Sequence, residues 1–382
     1  MATDRAARLL RTREDPRRAS YMELFFDLAF IFALAELTRA LRDDTGAAGI
    51  LRTLLLLAAV WWVWTVTAWS SDWFSPDSLF VRGLLAWVMF GGLLMAAAVP
   101  HAYGRYALVF AGAYVALHIG RGAGLMFALS GHPSQVRSLR VMVWFLATGV
   151  LWVLGALVAP VREPLWAVAV LVDITIGLFG YPVPGLGHST QQDLRVVGEH
   201  FAERYEQFFI VAIGELILVT GIAFLDAGFA WPHTVAFALS FLNALLYSEI
   251  YHVPVGSGLA ASLNRSRKPA RLALVAGYLH LMLLAGILAS AAGNEMIILG
   301  AARANLTAYA HILGGGAFLF LLSRVLATLV CDRQVAWSRV VGLVAMVAVK
   351  PVTIHLPPVA TTAAVDLILL AIAVTDRARH RD

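Results

Sequence analysis

Long apolar runs, separated by short polar or charged stretches, fill almost the whole chain. A bilayer core about 30 Å thick is crossed by about 20 apolar residues, and the backbone there must be helical because lipid offers it no hydrogen-bond partners. The runs predict twelve transmembrane helices, at 23–41, 50–69, 80–100, 104–128, 139–158, 163–181, 205–225, 231–252, 271–293, 307–330, 338–355 and 357–375. Prolines crowd the junction of the last two, so their ends are the least defined.

Composition supports lipid as the solvent. Of the 382 residues, 60% are hydrophobic and 14% are charged, whereas soluble domains carry about 25% charged residues. So few charges cannot cover the surface of a soluble enzyme of this length, and the fold class predicted is an all-α polytopic membrane protein. With one cysteine, Cys331, and no metal-ligand spacing, phosphate-binding loop or nucleophile motif, no cofactor and no metal site are expected.

Basic residues predict the topology. Lysine and arginine favour cytoplasmic loops, and twelve spans with both termini in the cytoplasm place most of them there. They are spread between apolar runs rather than gathered in a patch, so the net charge of +5 does not indicate nucleic-acid binding. The predicted organisation is a basic cytoplasmic tail at 1–20, six-helix halves at 21–190 and 191–376, and a cytoplasmic tail at 377–382 in the plasma membrane.

The two halves resemble each other. Glu23-Leu-Phe-Phe in the first helix matches Glu206-Gln-Phe-Phe in the seventh, and Asp173 and Asp366 each follow a valine in the sixth and twelfth. Further matches are Arg121 with Arg324 and Arg140 with Arg339. Because each half has an even number of helices, the halves would be parallel repeats, an arrangement that many secondary transporters share.

Ionisable residues inside apolar helices are functional candidates, because charge is costly in hydrocarbon. The candidates for a proton or substrate site are Glu23, Asp27, His118, Asp173, His200, Glu203, Arg204, Glu215, His280 and Asp366. Two readings are open. They could form a proton relay, or carboxylate pairs with arginine and histidine could simply hold helices together, and a histidine such as His118 could satisfy itself on a backbone carbonyl.

Helical spacing orders the acidic candidates. Glu23 and Asp27 are four residues apart and so share one face of the first helix. His200 and Arg204 have the same spacing in the seventh, and Glu215 would lie on nearly the same stripe about 16 Å deeper, near the bilayer midplane. A lone carboxyl group at that depth is suited to carrying a proton.

Tryptophans are concentrated in the segment WWVWTVTAWSSDWF, which begins at Trp61. Five tryptophans spread around the helix and could form a cage for a cation: Trp61, Trp62, Trp64, Trp69 and Trp73. Trp69 and Trp73 are also placed to anchor the helix end at the membrane interface. The pattern leaves both roles open.

Two segments carry a family resemblance. The sequences ELFFDLAFIFAL from Glu23 and HFAERY…IVAIGELIL from His200 resemble the two acidic signatures of the bacterial low temperature requirement A (LtrA) family, and WWVW and YLHLMLLAGILASAAGNE from Tyr278 are also similar. The matching positions are Glu23, Phe25, Phe26, Asp27, His200, Glu203, Arg204, Gly214, Glu215 and His280, whereas Tyr205-Glu206-Gln207 and Leu216 depart from the usual pattern. The resemblance implies a polytopic inner-membrane protein linked by name to growth in the cold.

Three functional hypotheses follow. The first is a proton-coupled secondary transporter of a small solute, with Glu215 as proton carrier, Arg204 and His200 tuning it, and Asp27 with Glu23 forming the matching site. The second is a membrane enzyme or lipid-handling protein that acts at the cytoplasmic interface. The third is a non-catalytic sensor or assembly factor for cold adaptation. The expected partners are membrane lipids, protons and a small solute, and no nucleic acid.

Overall fold

The computed structural model describes residues 9–10, 19–74, 78–190, 198–253 and 258–379. Most of the predicted basic tail at 1–20 lies outside these ranges, as do residues 191–197 at the predicted boundary between halves and the last three residues. Within the described ranges the protein is all α-helical, and β-structure is limited to two isolated bridges, Leu10 with Phe74 and Val183 with Gly187.

Thirteen α-helices occur in the described residues. They are α1 (Tyr21–Asp43), α2 (Ala47–Ser71), α3 (Leu79–Ala98), α4 (Ala107–Ala128), α5 (Ser134–Leu157), α6 (Arg162–Thr175), α7 (Gly198–Ala227), α8 (Trp231–His252), α9 (Gly258–Arg265), α10 (Pro269–Ile298), α11 (Leu306–Asp332), α12 (Trp337–Thr353) and α13 (Pro358–Arg379). Each of the twelve apolar runs coincides with one of these helices. The additional helix is α9, which lies in the connection between the apolar runs 231–252 and 271–293.

Nine of these helices are long and apolar enough to cross a bilayer, within the described part of the chain. The other three long elements fall short for different reasons. Helix α1 carries several charges, α6 has only 14 residues, and α12 has 17 residues with Pro351 inside it. The chain is therefore a multi-pass helical membrane protein, while the number of twelve spans stays a prediction.

Helix α1 distributes its side chains as a lipid-facing helix does. Phe25, Leu28 and Phe32 are 57%, 47% and 42% exposed, whereas Glu23 and Asp27 are fully buried. In a soluble protein the large apolar groups would be inside and the carboxylates outside. The inverted pattern places the apolar stripe toward lipid and the acidic stripe toward protein, which is the arrangement that intramembrane charges require.

The chain packs as two units, each drawn from several stretches of sequence. The first unit comprises Met1–Glu36, Leu54–Gln207 and Leu263–Val275. Within it α3, α4, α5 and α6 pack in succession. Trp152 and Trp166 fill the core with ring centroids 5.0 Å apart, and Gly155 lets α6 approach α5, since a Cβ there would lie 2.7 Å from the Trp166 ring.

The second unit comprises Leu37–Thr53, Phe208–Ser262 and Ala276–Asp382. In it α13 packs against α8, α11 and α12. Helices α10 and α11 approach closely at Gly286 and Gly316, where a Cβ on Gly286 would lie 2.7 Å from the Gly316 carbonyl oxygen. Small residues at such contacts are the usual means of close helix packing in membranes.

A compact turn follows α6 and closes against its own loop. Gly180 has φ +70°, a conformation that disfavours residues with a Cβ. The Ser189 amide donates to the Gly180 carbonyl oxygen at 2.7 Å, and the Arg140 Nε donates to the Leu186 carbonyl oxygen at 2.8 Å. Residues 185–187, which include two glycines, lie in this loop.

Candidate functional site

A two-rung ladder of buried charged groups joins α1 to α7 in the first unit. Glu23 and Asp27, four residues apart on α1, face His200 and Arg204, four residues apart on α7. Equal spacing on both helices brings each acidic group opposite one basic group. The two helix faces predicted from the spacing, the acidic face of α1 and the basic face of α7, thus lie against each other.

The lower rung is a bidentate ion pair. Arg204 Nη1 donates to Asp27 Oδ2 at 2.7 Å and Arg204 Nη2 donates to Asp27 Oδ1 at 2.7 Å. The Trp64 indole N–H, from α2, donates to the same carboxylate at 2.7 Å. All three side chains are buried. Fork-to-fork geometry makes this the strongest class of ion pair, and the extra hydrogen bond helps to offset the cost of burying the charges.

The upper rung centres on His200. Its Nδ1 lies 2.8 Å from Asp72 Oδ1, just after α2, and its Nε2 lies 3.3 Å from Glu23. Because each ring nitrogen faces a carboxylate oxygen, this geometry is best satisfied by an imidazolium that donates at both nitrogens. Glu23 also accepts from the Ser20 backbone amide at 2.9 Å. The rung therefore ties the start of α1 and the end of α2 to α7.

Glu203 lies beside the ladder rather than in it. Its Oε2 accepts from the Ala19 backbone amide at 3.1 Å, and its side chain is half-buried. This carboxylate holds the residues that lead into α1. Its contact favours an anchoring role over proton transfer.

Glu215 belongs to the second unit, and its hydrogen bond comes from a neutral side chain. It is 1% exposed, and its Oε1 accepts from the Thr38 hydroxyl at 2.8 Å. In the same unit Arg42 donates to Glu295 at 3.2 Å. The neighbouring Gly214 is exposed, and a Cβ there would meet no atom within 4 Å. Arg204 and Glu215 are predicted to lie on one stripe of the helix, but they contact different residues: Arg204 binds Asp27, and Glu215 binds Thr38.

Asp173 and His118 lie in one neighbourhood of the first unit. Asp173 accepts from the Tyr114 hydroxyl at 2.8 Å and from the Thr148 hydroxyl at 2.6 Å. The Tyr114 ring lies 4.4 Å from the His118 ring, and His118 Nδ1 lies 2.7 Å from Arg121 Nη2. His118 therefore contacts an arginine side chain, whereas a backbone carbonyl was the structural partner considered from the sequence.

Asp366 and His280 are served by one polar stripe on α8, in the second unit. Asn243 donates to Asp366 at 2.9 Å. Four and eight residues later, Tyr247 lies 2.6 Å from the Ser290 hydroxyl and the Tyr251 hydroxyl lies 3.2 Å from His280 Nε2. His280 Nδ1 is 2.9 Å from the Ala276 carbonyl oxygen, so Nδ1 donates and Nε2 accepts from tyrosine.

Hydrogen bonds thus divide the ten predicted residues into local groups, each with neutral or charged partners that sequence reasoning missed. The missed partners are Thr38, Trp64, Asp72, Tyr114, Thr148, Asn243 and Tyr251. A signal existed for the α8 stripe, because Asn243, Tyr247 and Tyr251 repeat at the helical spacing of four. No such spacing links Thr38 to Glu215 or Trp64 to Asp27, since those pairs are set by packing between helices.

Comparison with known proteins places the chain in a family. A protein of Rhizobium meliloti (strain 1021), itself described as uncharacterized, is 32% identical over 382 residues that cover 98% of this chain and 92% of the relative. No solved structure matches the chain. The sequence profile of the bacterial low temperature requirement A protein matches residues 18–374, which include both acidic signatures and nearly all the described helices. The chain belongs to the LtrA family.

Proposed function

We propose that this LtrA-family protein is a secondary transporter that moves a small solute together with protons. The observation that carries the proposal is a set of three buried carboxyl groups, on Asp173, Glu215 and Asp366. In the described part of the chain their hydrogen bonds come only from neutral side chains. None of the three forms an ion pair there.

The chemistry of such groups is proton exchange. A carboxylate in hydrocarbon without a cation partner is costly, and binding a proton removes that cost. Hydroxyl and amide groups rotate to donate to the ionised form or to accept from the protonated form. A carboxyl group held in this way binds a proton when its surroundings are closed and releases it when water reaches it, which is the behaviour needed of a proton carrier.

Matching contacts in the two units support an internal duplication. Arg121 of α4 donates to the Thr67 hydroxyl of α2 at 3.1 Å. Arg324 of α11, its counterpart in the sequence comparison, donates to the Tyr251 carbonyl oxygen of α8, also at 3.1 Å. The fourth helix of each half thus binds the second helix through an equivalent arginine. Parallel repeats of this kind are found in many secondary transporters.

The ladder has a different role in this proposal. Asp27, Arg204, Glu23 and His200 pair charges of opposite sign and bind α1, α2 and α7 together. With both termini in the cytoplasm, the ladder lies toward the cytoplasmic ends of these helices. Its opening and closing would there control the entry of solute and protons from the cytoplasm. Glu215 is then the main proton carrier, and the ion pairs of the ladder hold α1, α2 and α7 together in the closed state.

The test is uptake by purified full-length protein in proteoliposomes with an imposed pH gradient. The probes are radiolabelled alanine, glucose, choline, inorganic phosphate and p-toluenesulfonate, one of each broad solute class. We expect uptake of at least one probe above that of protein-free vesicles, abolished when the gradient is collapsed. Uptake of none of the five would contradict a transporter and leave the sensor and lipid-handling hypotheses.

Glu215→Gln should uncouple this uptake from protons. The amide keeps the size of the side chain and a hydrogen bond to Thr38 but cannot bind or release a proton. We expect gradient-driven uptake to fall at least tenfold, which corresponds to about 1.4 kcal/mol or more. Asp226→Asn, an exposed carboxylate further along α7, is the matched control and should retain wild-type uptake. Full gradient-driven uptake by Glu215→Gln would remove Glu215 from the mechanism.

A further inference from the structure

A cavity of about 120 Å³ lies within the first unit, where α2, α4 and α5 meet the turn after α6 and the start of α10. Three tryptophans from the end of α2, Trp62, Trp69 and Trp73, form much of its wall. These indoles were expected from sequence as either a cation cage or an interfacial anchor, and the structure gives them a cavity to line.

The charges around this cavity are of one sign. Arg121, Arg137 and Arg271 line it, and none of the described residues in its wall is acidic. Arg121 and Arg137 are 2% and 7% exposed, and the Arg137 guanidinium lies over the Trp73 ring. Aromatic walls alone would suit a cation, but three guanidinium groups repel one. The cavity therefore has the electrostatics of an anion site.

Arg121 gives the sharpest sign of a missing partner. Its hydrogen bonds in the described part of the chain go to the Thr67 hydroxyl at 3.1 Å and to His118 Nδ1 at 2.7 Å, both neutral groups. A buried guanidinium without a counter-ion is costly in a membrane protein. An anion in the cavity would supply the counter-charge that the described residues around Arg121 do not.

His118 adds an unused donor. Because the Arg121 guanidinium can only donate, His118 Nδ1 must accept, and the neutral ring then carries its hydrogen on Nε2. His118 is 1% exposed, and Nε2 has no hydrogen-bond partner among the described residues. The Trp69 indole nitrogen and the Thr65 hydroxyl, which also line the cavity, lack partners in the same part of the chain. Buried donors left in this way indicate an acceptor-rich ligand.

We propose that this cavity binds an organic oxyanion: a sulfonate, phosphate or carboxylate head with a small apolar body. The oxygens would take hydrogen bonds from Arg121, His118 and Trp69, and the body would lie against the indole faces. Arginine is the side chain best matched to the planar, multi-oxygen edge of such anions. The head could belong to a free metabolite or to an anionic lipid, because the chemistry that the cavity offers to both is the same.

This inference names the substrate class of the proposed transporter and in that respect rests on it. Binding itself needs no transport, so the two claims can fail separately. Anion binding without uptake of any solute would contradict only the transporter. Uptake of a different solute, with no anion binding, would contradict only the cavity assignment.

The test is calorimetric titration of the full-length protein in phosphatidylcholine nanodiscs with p-toluenesulfonate and, separately, with inorganic phosphate. The neutral isostere p-toluenesulfonamide is the ligand control. We expect saturable sulfonate binding and at least tenfold weaker sulfonamide binding. Repeating the titration in phosphatidylglycerol nanodiscs identifies the source: weaker sulfonate binding there shows that a lipid headgroup competes for the cavity, and unchanged binding favours a free anion.

Variants assign the binding to this cavity. Arg121→Met should weaken sulfonate binding about tenfold or more, the loss of a charge-assisted hydrogen bond. Trp69→Phe keeps an aromatic side chain but removes the indole N–H together with part of the cavity wall, so it should weaken binding about threefold or more. It serves as the second variant if Arg121→Met does not fold. Arg105 is exposed in the turn before α4, at the end of that helix away from Arg121, so Arg105→Met is the matched control and should bind as wild type. No sulfonate or phosphate binding, equal binding of the sulfonamide, or wild-type binding by a folded Arg121→Met would overturn the proposal.

Discussion

Replacing Arg204 with methionine is expected to lower the free energy of unfolding by about 3–5 kcal/mol. The substitution keeps the apolar stem but removes both guanidinium hydrogen bonds to Asp27, which is fully buried. Among the described residues, Asp27 would then retain the Trp64 indole N–H as its hydrogen-bond donor. An uncompensated carboxylate in a protein core costs far more than the net value of the ion pair it has lost.

A double substitution separates this charge effect from lost packing. Asp27→Asn combined with Arg204→Met removes the stranded charge, so the double variant should be more stable than Arg204→Met alone. The pair Arg377–Glu249 has an N–O distance of 3.1 Å and is partly exposed, with 63% of the Arg377 side chain and 33% of the Glu249 side chain accessible. Arg377→Met should therefore cost less than about 1 kcal/mol. Reversible unfolding in mixed micelles measures all three, and a double variant no more stable than Arg204→Met would contradict the charge argument.

Gly286→Ala is expected to destabilise the second unit by about 1–3 kcal/mol. A Cβ on Gly286 would lie 2.6 Å from the Phe320 backbone nitrogen and 2.7 Å from the Gly316 carbonyl oxygen. Both neighbours are backbone atoms of α11, so no side chain can rotate away to make room. The two helices would have to separate, which loses contacts along their length.

Gly314→Ala is the matched control for this prediction. It lies on α11 itself, and a Cβ there would meet no atom within 4 Å. Alanine favours the helix over glycine by about 1 kcal/mol, so this variant should be as stable as wild type or slightly more stable. The same unfolding measurement compares both. Equal stability of the two alanine variants would show that α10 and α11 do not approach as closely as described.

Much of the helical fold was predictable because a membrane-spanning helix requires an apolar run of about 20 residues. Each predicted run coincides with a helix, and the errors have local causes. The sixth run is predicted to extend to 181, but the α-helix ends at Thr175 and a 3-10 turn, Ile176–Phe179, leads to Gly180 in its left-handed conformation. The short helix α9 escaped prediction because it has eight residues and a mixed polar composition.

The candidate site was predictable only as far as single helices specify it. The spacing of four set the faces that Glu23, Asp27, His200 and Arg204 present, and those faces meet in the ladder. Helical phase could not reveal that Glu215 would bond to Thr38, because that contact depends on how α7 packs against α1.

The cavity was beyond reach for a related reason. The sequence of α2 alone does not show which space its tryptophans line, because that depends on the neighbouring helices. Arg121 and Arg137 belong to two of those helices, α4 and α5. Each of these residues alone is explained by an ordinary structural role. Only their position around one cavity indicates a ligand. Inferences about intramembrane sites therefore gain most from contacts between helices that are distant in sequence.

The most direct test of the central claim is the lumenal pH of proteoliposomes loaded with a pH-sensitive dye and no imposed gradient. The same five solutes are added outside, and proton movement is followed as each one enters. Proton-coupled transport predicts that at least one solute changes the lumenal pH in wild-type vesicles and not in Glu215→Gln vesicles. A solute that enters through the protein with no change of lumenal pH beyond that of protein-free vesicles would contradict the account.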